Sequence, residues 1–126
     1  MIFNSPEHER LFTKELAKHE KKMVSRSFLA ALFVLTANKK LQQRVSGHIE
    51  GGEIHWKSIV LRGIGVQEYA LFKLAKDLCQ NTGNIIISDL YDAEIFDDRT
   101  VRLVYAAIDI RRHGRTAVKN INRKKE

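Results

Sequence analysis

The residues best suited to chemistry form a palindrome: His48, Glu50, Glu53 and His55 in HIEGGEIH, residues 48–55. Gly51-Gly52 is a hairpin signal, because a tight two-residue turn needs positive φ at its centre. Folding back there sets Glu50 opposite Glu53 and His48 opposite His55. Strand side chains alternate, so all four reach one face while Ile49 and Ile54 reach the other. Two neutral imidazoles and two carboxylates suit zinc, manganese or iron. A hairpin with one wet face produces the same alternation without any metal. The opposition of Glu50 and Glu53 is unfavourable unless a cation relieves it. Two readings stand: a metal-dependent enzyme at 48–55, or a solvated hairpin and a protein with no cofactor.

The second candidate chemistry is electrostatic. The 126-residue chain carries a formal charge of +7. Residues 111–126 hold seven Lys or Arg and one Glu, so nearly all of the excess lies in one terminal segment. Arg99, Arg102, Arg111 and Arg112 on a helix, followed by Arg115, Lys119, Arg123, Lys124 and Lys125, form a candidate nucleic-acid surface. Such a surface attracts phosphate without reading sequence. The residues SDLYDAEIF, DDR and TVRLVYAAIDIRR at 88–112 have the spacing of a helix-turn-helix. However, Asp89, Asp92, Glu94, Asp97 and Asp98 would then face the DNA backbone, where cations are wanted. A plain helical hairpin fits better. Asp89, Asp92, Glu94 and Asp97 then form an acidic face suited to a basic protein partner.

Two further signals in the sequence are weaker. GIG at 63–65 lacks the third glycine of a dinucleotide loop, and Glu68 stands in its place. Cys79, the single cysteine, sits near the end of an amphipathic helix as a small buried hydrophobe. One cysteine excludes an internal disulfide and any multi-thiolate zinc site, which points to a reducing cytoplasm.

The elements that position these groups are mainly helical. Hydrophobic residues make up 44% of the chain and charged residues 29%, as in ordinary globular domains. Ser5 and Pro6 open the first helix, with Leu11, Phe12 and Leu16 as its apolar stripe. FLAALFVLTA, residues 28–37, is too short to span a bilayer and apolar on nearly every side, which predicts the central helix. A third helix covers about 39–45. A fourth covers about 66–80, with Tyr69, Phe72, Leu74, Ala75 and Leu78 inward and Gly83 as its stop. Ile85–Ile87 reads as a short strand or extended lead, and Ser88 as the cap of a helix running to Phe96. Asp97 or Asp98 then caps a last helix over about 99–112, with Val101, Leu103, Val104, Ala107 and Ile108 buried and Gly114 at its end. The expected fold is a compact, mainly α bundle of five to six helices with at most one small β-hairpin around 48–61. Residues 1–112 form the domain and 113–126 a flexible basic tail. The first residues, MIFNSPEHER, lack the basic and apolar blocks of a signal peptide.

FNSPEHERLF with FLAALFVLTA, and AEIFDDRTVRLVYAAIDIRR near the end, resemble small uncharacterised proteins of Gram-positive bacteria and their prophages. The resemblance covers under half the chain. The middle departs from it, with HWKSIVLRGIG where that family tends to carry a Trp-Gln-Thr-containing loop. The resemblance implies no chemistry, but it implies a mobile-element or host-modulating setting. The overall expectation is a small, cytoplasmic, non-enzymatic binding or regulatory protein that acts through a protein partner, with no membrane association. Nucleic-acid binding through 99–125 and a metal enzyme at 48–55 are the alternatives. A homodimer is compatible with the size, although no heptad run in the sequence specifies one.

Overall fold

The computed structural model describes residues 2–19 and 24–118. Helix α1 (Pro6–Ala17) begins where expected: the Ser5 side chain accepts from the His8 N–H, and Pro6 takes the first helical position. Helix α2 (Arg26–Leu35) starts at Ser25, whose hydroxyl accepts from the Phe28 N–H. All eight residues from Phe28 to Leu35 are buried. An apolar circumference can only be satisfied at the centre of a bundle. Helix α4 (Val66–Gln80) and helix α6 (Asp98–His113) accordingly pack against α2, with α1 and helix α3 (Lys39–Val45) closing other sides.

Between α3 and α4 lies the hairpin, reduced to two residues a side. Strands β1 (Ile49–Glu50) and β2 (Glu53–Ile54) pair antiparallel, Ile49 with Ile54 and Glu50 with Glu53. Gly51 and Gly52 have φ of 60° and 78°, the conformation the turn demands. One 3-10 turn precedes the hairpin (Ser46–His48) and another follows it (Trp56–Ser58). The structure is thus mainly α with one small hairpin, and no described helix is long and apolar enough to cross a membrane.

The ends of α2 show what burial demands. The last carbonyls of a helix have no partner within it, and those of α2 are shut off from water. The Thr36 hydroxyl donates to the Leu32 carbonyl at 2.7 Å. The Phe33 carbonyl accepts from Nε2 of His8 at 2.7 Å. The Asn4 N–H donates to Nδ1 of the same ring at 2.9 Å. These two contacts fix a neutral imidazole protonated on Nε2. Around it stand Phe3, Phe12 and Phe33, with ring centroids 4.6–5.9 Å apart among the four residues. Burial pushes the His8 pKa down to about 4, against smaller opposing effects of the Phe33 hydrogen bond and Glu9. Ile2 and Phe3 join the core, so the chain is packed from its first described residues.

Several expectations are corrected. Tyr69 and Ile108 are 48% and 40% exposed, not inward, and Val101 is only partly buried. Ile110 takes the core position expected of Ile108, because it lies with Leu103, Val104 and Ala107 on one side of α6. α4 ends at Asn81, not Gly83; Asn81 adopts the left-handed conformation (φ 57°) that satisfies the last turn. Ile85–Ile87 forms no strand. The helix expected to run from Ser88 to Phe96 is a single turn, α5 (Ile87–Leu90), followed by turns. Asp92 and Asp97 prefer local hydrogen bonds to backbone N–H groups, and these replace helix continuation. The segment expected to be a flexible tail from 113 begins as structure. Residues 115–118 are helical and Ala117 is buried, whereas 119–126 lie outside the described residues. Gly114 holds φ 65°, and a Cβ there would meet the Arg26 side chain at 2.8 Å.

Leu32→Ala should destabilise the fold by about 2–5 kcal/mol in urea denaturation, because the methyl groups it removes leave a cavity in the most enclosed helix. His8 sets a pH dependence. Unfolded His8 binds its proton near pH 6.5 and folded His8 near 4, so the unfolded state gains as pH falls through that window. Stability should drop by about 3 kcal/mol from pH 7 to pH 4 on this account. His8→Gln should flatten that slope; an unchanged slope in denaturation curves would show that His8 is not its source.

Candidate functional site

The palindrome has the pairing read from sequence, but its side chains diverge. The His55 N–H donates to the His48 carbonyl at 2.8 Å, which continues the ladder. The Ser58 hydroxyl donates its single hydrogen to the His55 carbonyl at 2.9 Å. His48 Nδ1, 2.8 Å from that oxygen, must then be the donor in its own contact. His48 therefore latches the 3-10 turn and is not a base acting on Ser58. His55 Nε2 lies 4.0 Å from Glu50, and both groups are solvent-exposed. Among the described residues no three His, Cys, Asp or Glu side chains are grouped to hold a metal ion. The four palindrome residues thus do not converge as a ligand set. Ile54 packs inward, as the wet-face reading requires.

The remaining weak signals resolve in the same direction. Glu68 reaches back to the Gly65 N–H at 3.2 Å and fills the start of α4, where a phosphate would have to sit. Burial pushes the Cys79 thiol pKa up, against smaller effects of Trp56 and Arg111, so it is a poor nucleophile at neutral pH. Trp56 is buried edge-on against Phe72, with centroids 5.4 Å apart.

The basic candidates divide. Arg99 spends its guanidinium on Asn4, donating to both its side-chain and main-chain oxygens. Nε of Arg111 donates to the Leu78 carbonyl at 2.9 Å and so caps the end of α4. Arg102 and Arg112 are exposed, and the Arg112 carbonyl accepts from Arg26. Arg115 lies in the helical segment after Gly114. Lys119, Arg123, Lys124 and Lys125 lie outside the described residues. Two of the arginines read as phosphate contacts are therefore joints of the fold.

The acidic candidates are also largely structural. Asp89 accepts from the Ile86 N–H at 3.0 Å, Asp92 from Glu94 at 3.0 Å, and Asp97 from Thr100 at 2.9 Å. The Thr100 N–H and hydroxyl hold the Asp97 carboxyl below the usual range. Glu94 is exposed on the same turn. Upstream, burial alone would raise the Asp77 pKa, but Thr82, Asn84 and Ile85 together hold it down. Asp77 Oδ1 accepts from the Thr82 hydroxyl and from both N–H groups of Asn84, and Oδ2 accepts from the Ile85 N–H at 2.7 Å. One carboxylate thereby fixes the path of the chain into α5.

That path builds a groove. Segment 90–96 forms one wall, through Leu90, Tyr91, Ala93 and Phe96, and the outer face of α6 forms the floor, through Asp98, Val101, Arg102 and Tyr105. Its volume is about 480 Å³. Tyr91 and Tyr105 are 78% and 64% exposed. Periodicity misses this feature because it places Val101 and Ile108 in the core together with Leu103, Val104 and Ala107. The signal that reveals it is a second stripe, Val101, Tyr105 and Ile108, opposite Leu103, Val104, Ala107 and Ile110.

Comparisons with protein-family models, with curated proteins and with solved structures found no match.

Asp77→Ala should cost about 1–3 kcal/mol, since it strands several donors at once. Amide hydrogen exchange should accelerate most at residues 82–91. Uniform acceleration across α4 and α6 would contradict a local role for this carboxylate.

Proposed function

We propose that this chain is a small non-enzymatic binding protein whose working surface is the α5–α6 groove, and that it acts through a protein partner. The observation that carries the reading is the pairing of two exposed tyrosines, Tyr91 and Tyr105, around Arg102 in one concave surface. Tyrosine and arginine dominate the energetic centres of protein interfaces, because each offers a large contact area with a polar end. Isolated exposed apolar side chains are ordinary, but a clustered patch rimmed by charge is a docking surface. Asp98 lines the same groove and gives it an acidic edge. A bacterial, cytoplasmic and prophage-related setting belongs to this proposal through the resemblance of the first and last segments to such proteins.

The test is affinity capture with the full chain and with a Tyr91→Ala/Tyr105→Ala variant. The wild type should retain a protein that the variant releases, while both give the same circular dichroism spectrum. Identical retention by both would remove the groove from consideration. Retention of nucleic acid alone, lost steeply as salt rises, would favour the phosphate-binding alternative instead.

A further inference from the structure

The outer stripe of α6 has a pattern that a general docking surface does not require. Asp98, Tyr105 and Arg112 recur at intervals of seven residues, with Val101 and Ile108 between them and Arg102 and Asp109 alongside. At 100° per residue these seven side chains fall in one band opposite the core-facing side. All are exposed except Val101, which is partly so. The stripe inverts its charge about Tyr105. Its start carries Asp98 and then Arg102; its end carries Asp109 and then Arg112.

We infer that the occupant of the groove is a second copy of this chain, with the two α6 helices antiparallel and related by a two-fold axis at Tyr105. This rests on the groove being a docking surface. A stripe that reverses its charge about its own midpoint is complementary to itself under such an axis. Turning it over sets Asp98 against Arg112 of the second copy and Arg102 against its Asp109, each pair occurring twice. Tyr105 meets its own copy at the centre, and Val101 and Ile108 from both chains enclose it. The groove fits this geometry: it covers the first half of the α6 face, so each copy seats the second half of the other's helix beside its Tyr91 wall. α6, at 16 residues, is roughly 24 Å long. A seam of that length with charged ends favours a dimer that assembles with rising concentration over one that is permanent.

Sedimentation velocity of the full chain over a micromolar to millimolar series tests this. The wild type should shift from monomer to dimer across the series. Arg112→Asp, which places like charges together at both ends, should weaken association about tenfold or more. Adding Asp98→Arg should restore it, because the charge pair is re-formed in reverse. Tyr105→Ala should weaken association with an unchanged circular dichroism spectrum. A wild type that stays monomeric throughout overturns the inference, as does a dimer indifferent to Arg112→Asp and Tyr105→Ala. If the wild type is monomeric yet the tyrosine variant still loses a foreign protein in affinity capture, the self-association fails while the groove keeps its docking role.

Discussion

A helix with no polar side cannot satisfy its own last carbonyls once it is buried, and this molecule is arranged around that difficulty. α2 is enclosed from Phe28 to Leu35. An unsatisfied carbonyl in such a place costs as much as a lost hydrogen bond or more. The Phe33 carbonyl is met by His8 from α1, His8 is met by the Asn4 N–H, and the oxygens of Asn4 receive the Arg99 guanidinium from α6. One continuous polar thread therefore joins α6, the first residues, α1 and the centre of the core. Its inner bond, from His8 to Phe33, lies in an aromatic shell of Phe3, Phe12 and Phe33, a medium where alternatives are few, while its outer end at Arg99 is exposed. A second buried polar pair, Glu15 with His19 at 3.0 Å, secures the other end of α1, where His19 packs edge-on against Phe28.

The same economy governs the charged groups. Arg99 and Arg111, which look in sequence like functional handles, prove to be fastenings, and other charged groups act likewise. Arg111 closes α4, Arg26 closes α6, Arg44 holds the Val60 carbonyl, and Asp77 organises the exit from α4. The groove is a by-product of these fastenings. Because Asp77, Asp89, Asp92 and Asp97 each hold backbone N–H groups, segment 82–97 follows a fixed irregular path. It does not continue as a helix that would lie flush on α6. What is left uncovered is the strip of α6 that carries Tyr105.

The parts of this architecture that were legible in the sequence are those with a periodic or local signature. The apolar run at 28–37 identifies the central helix, Ser5-Pro6 and the pair Asp97-Asp98 mark helix starts, and Gly51-Gly52 places the hairpin register. Each depends on neighbours within a few residues. The polar thread has no such signature, because its members are 25 and 95 residues apart and are joined only by the tertiary fold. Nor does alternation in the palindrome reveal which rotamers its side chains choose; Ser58, outside the motif, decides where His48 points. Ile108 reads as a core residue because α6 is apolar on two sides, and a count of apolar residues does not say which side meets α2. The stretch 81–97 departs from its periodic pattern because Asn81, Asp89 and Asp92 act through turn chemistry that competes with helix propensity.

The bond between Asn4 and Arg99 also bears on how the chain is made. Ile2 and Phe3 lie beside Leu103 and Ala106 at the edge of the core, so the segment before α1 finds its resting place against the last long helix. Until α6 emerges, the apolar faces of α1 and α2 have no complete cover. Completion of this domain therefore waits on the synthesis of α6, and a nascent chain that stops short of it exposes apolar surface of the kind holdase chaperones recognise.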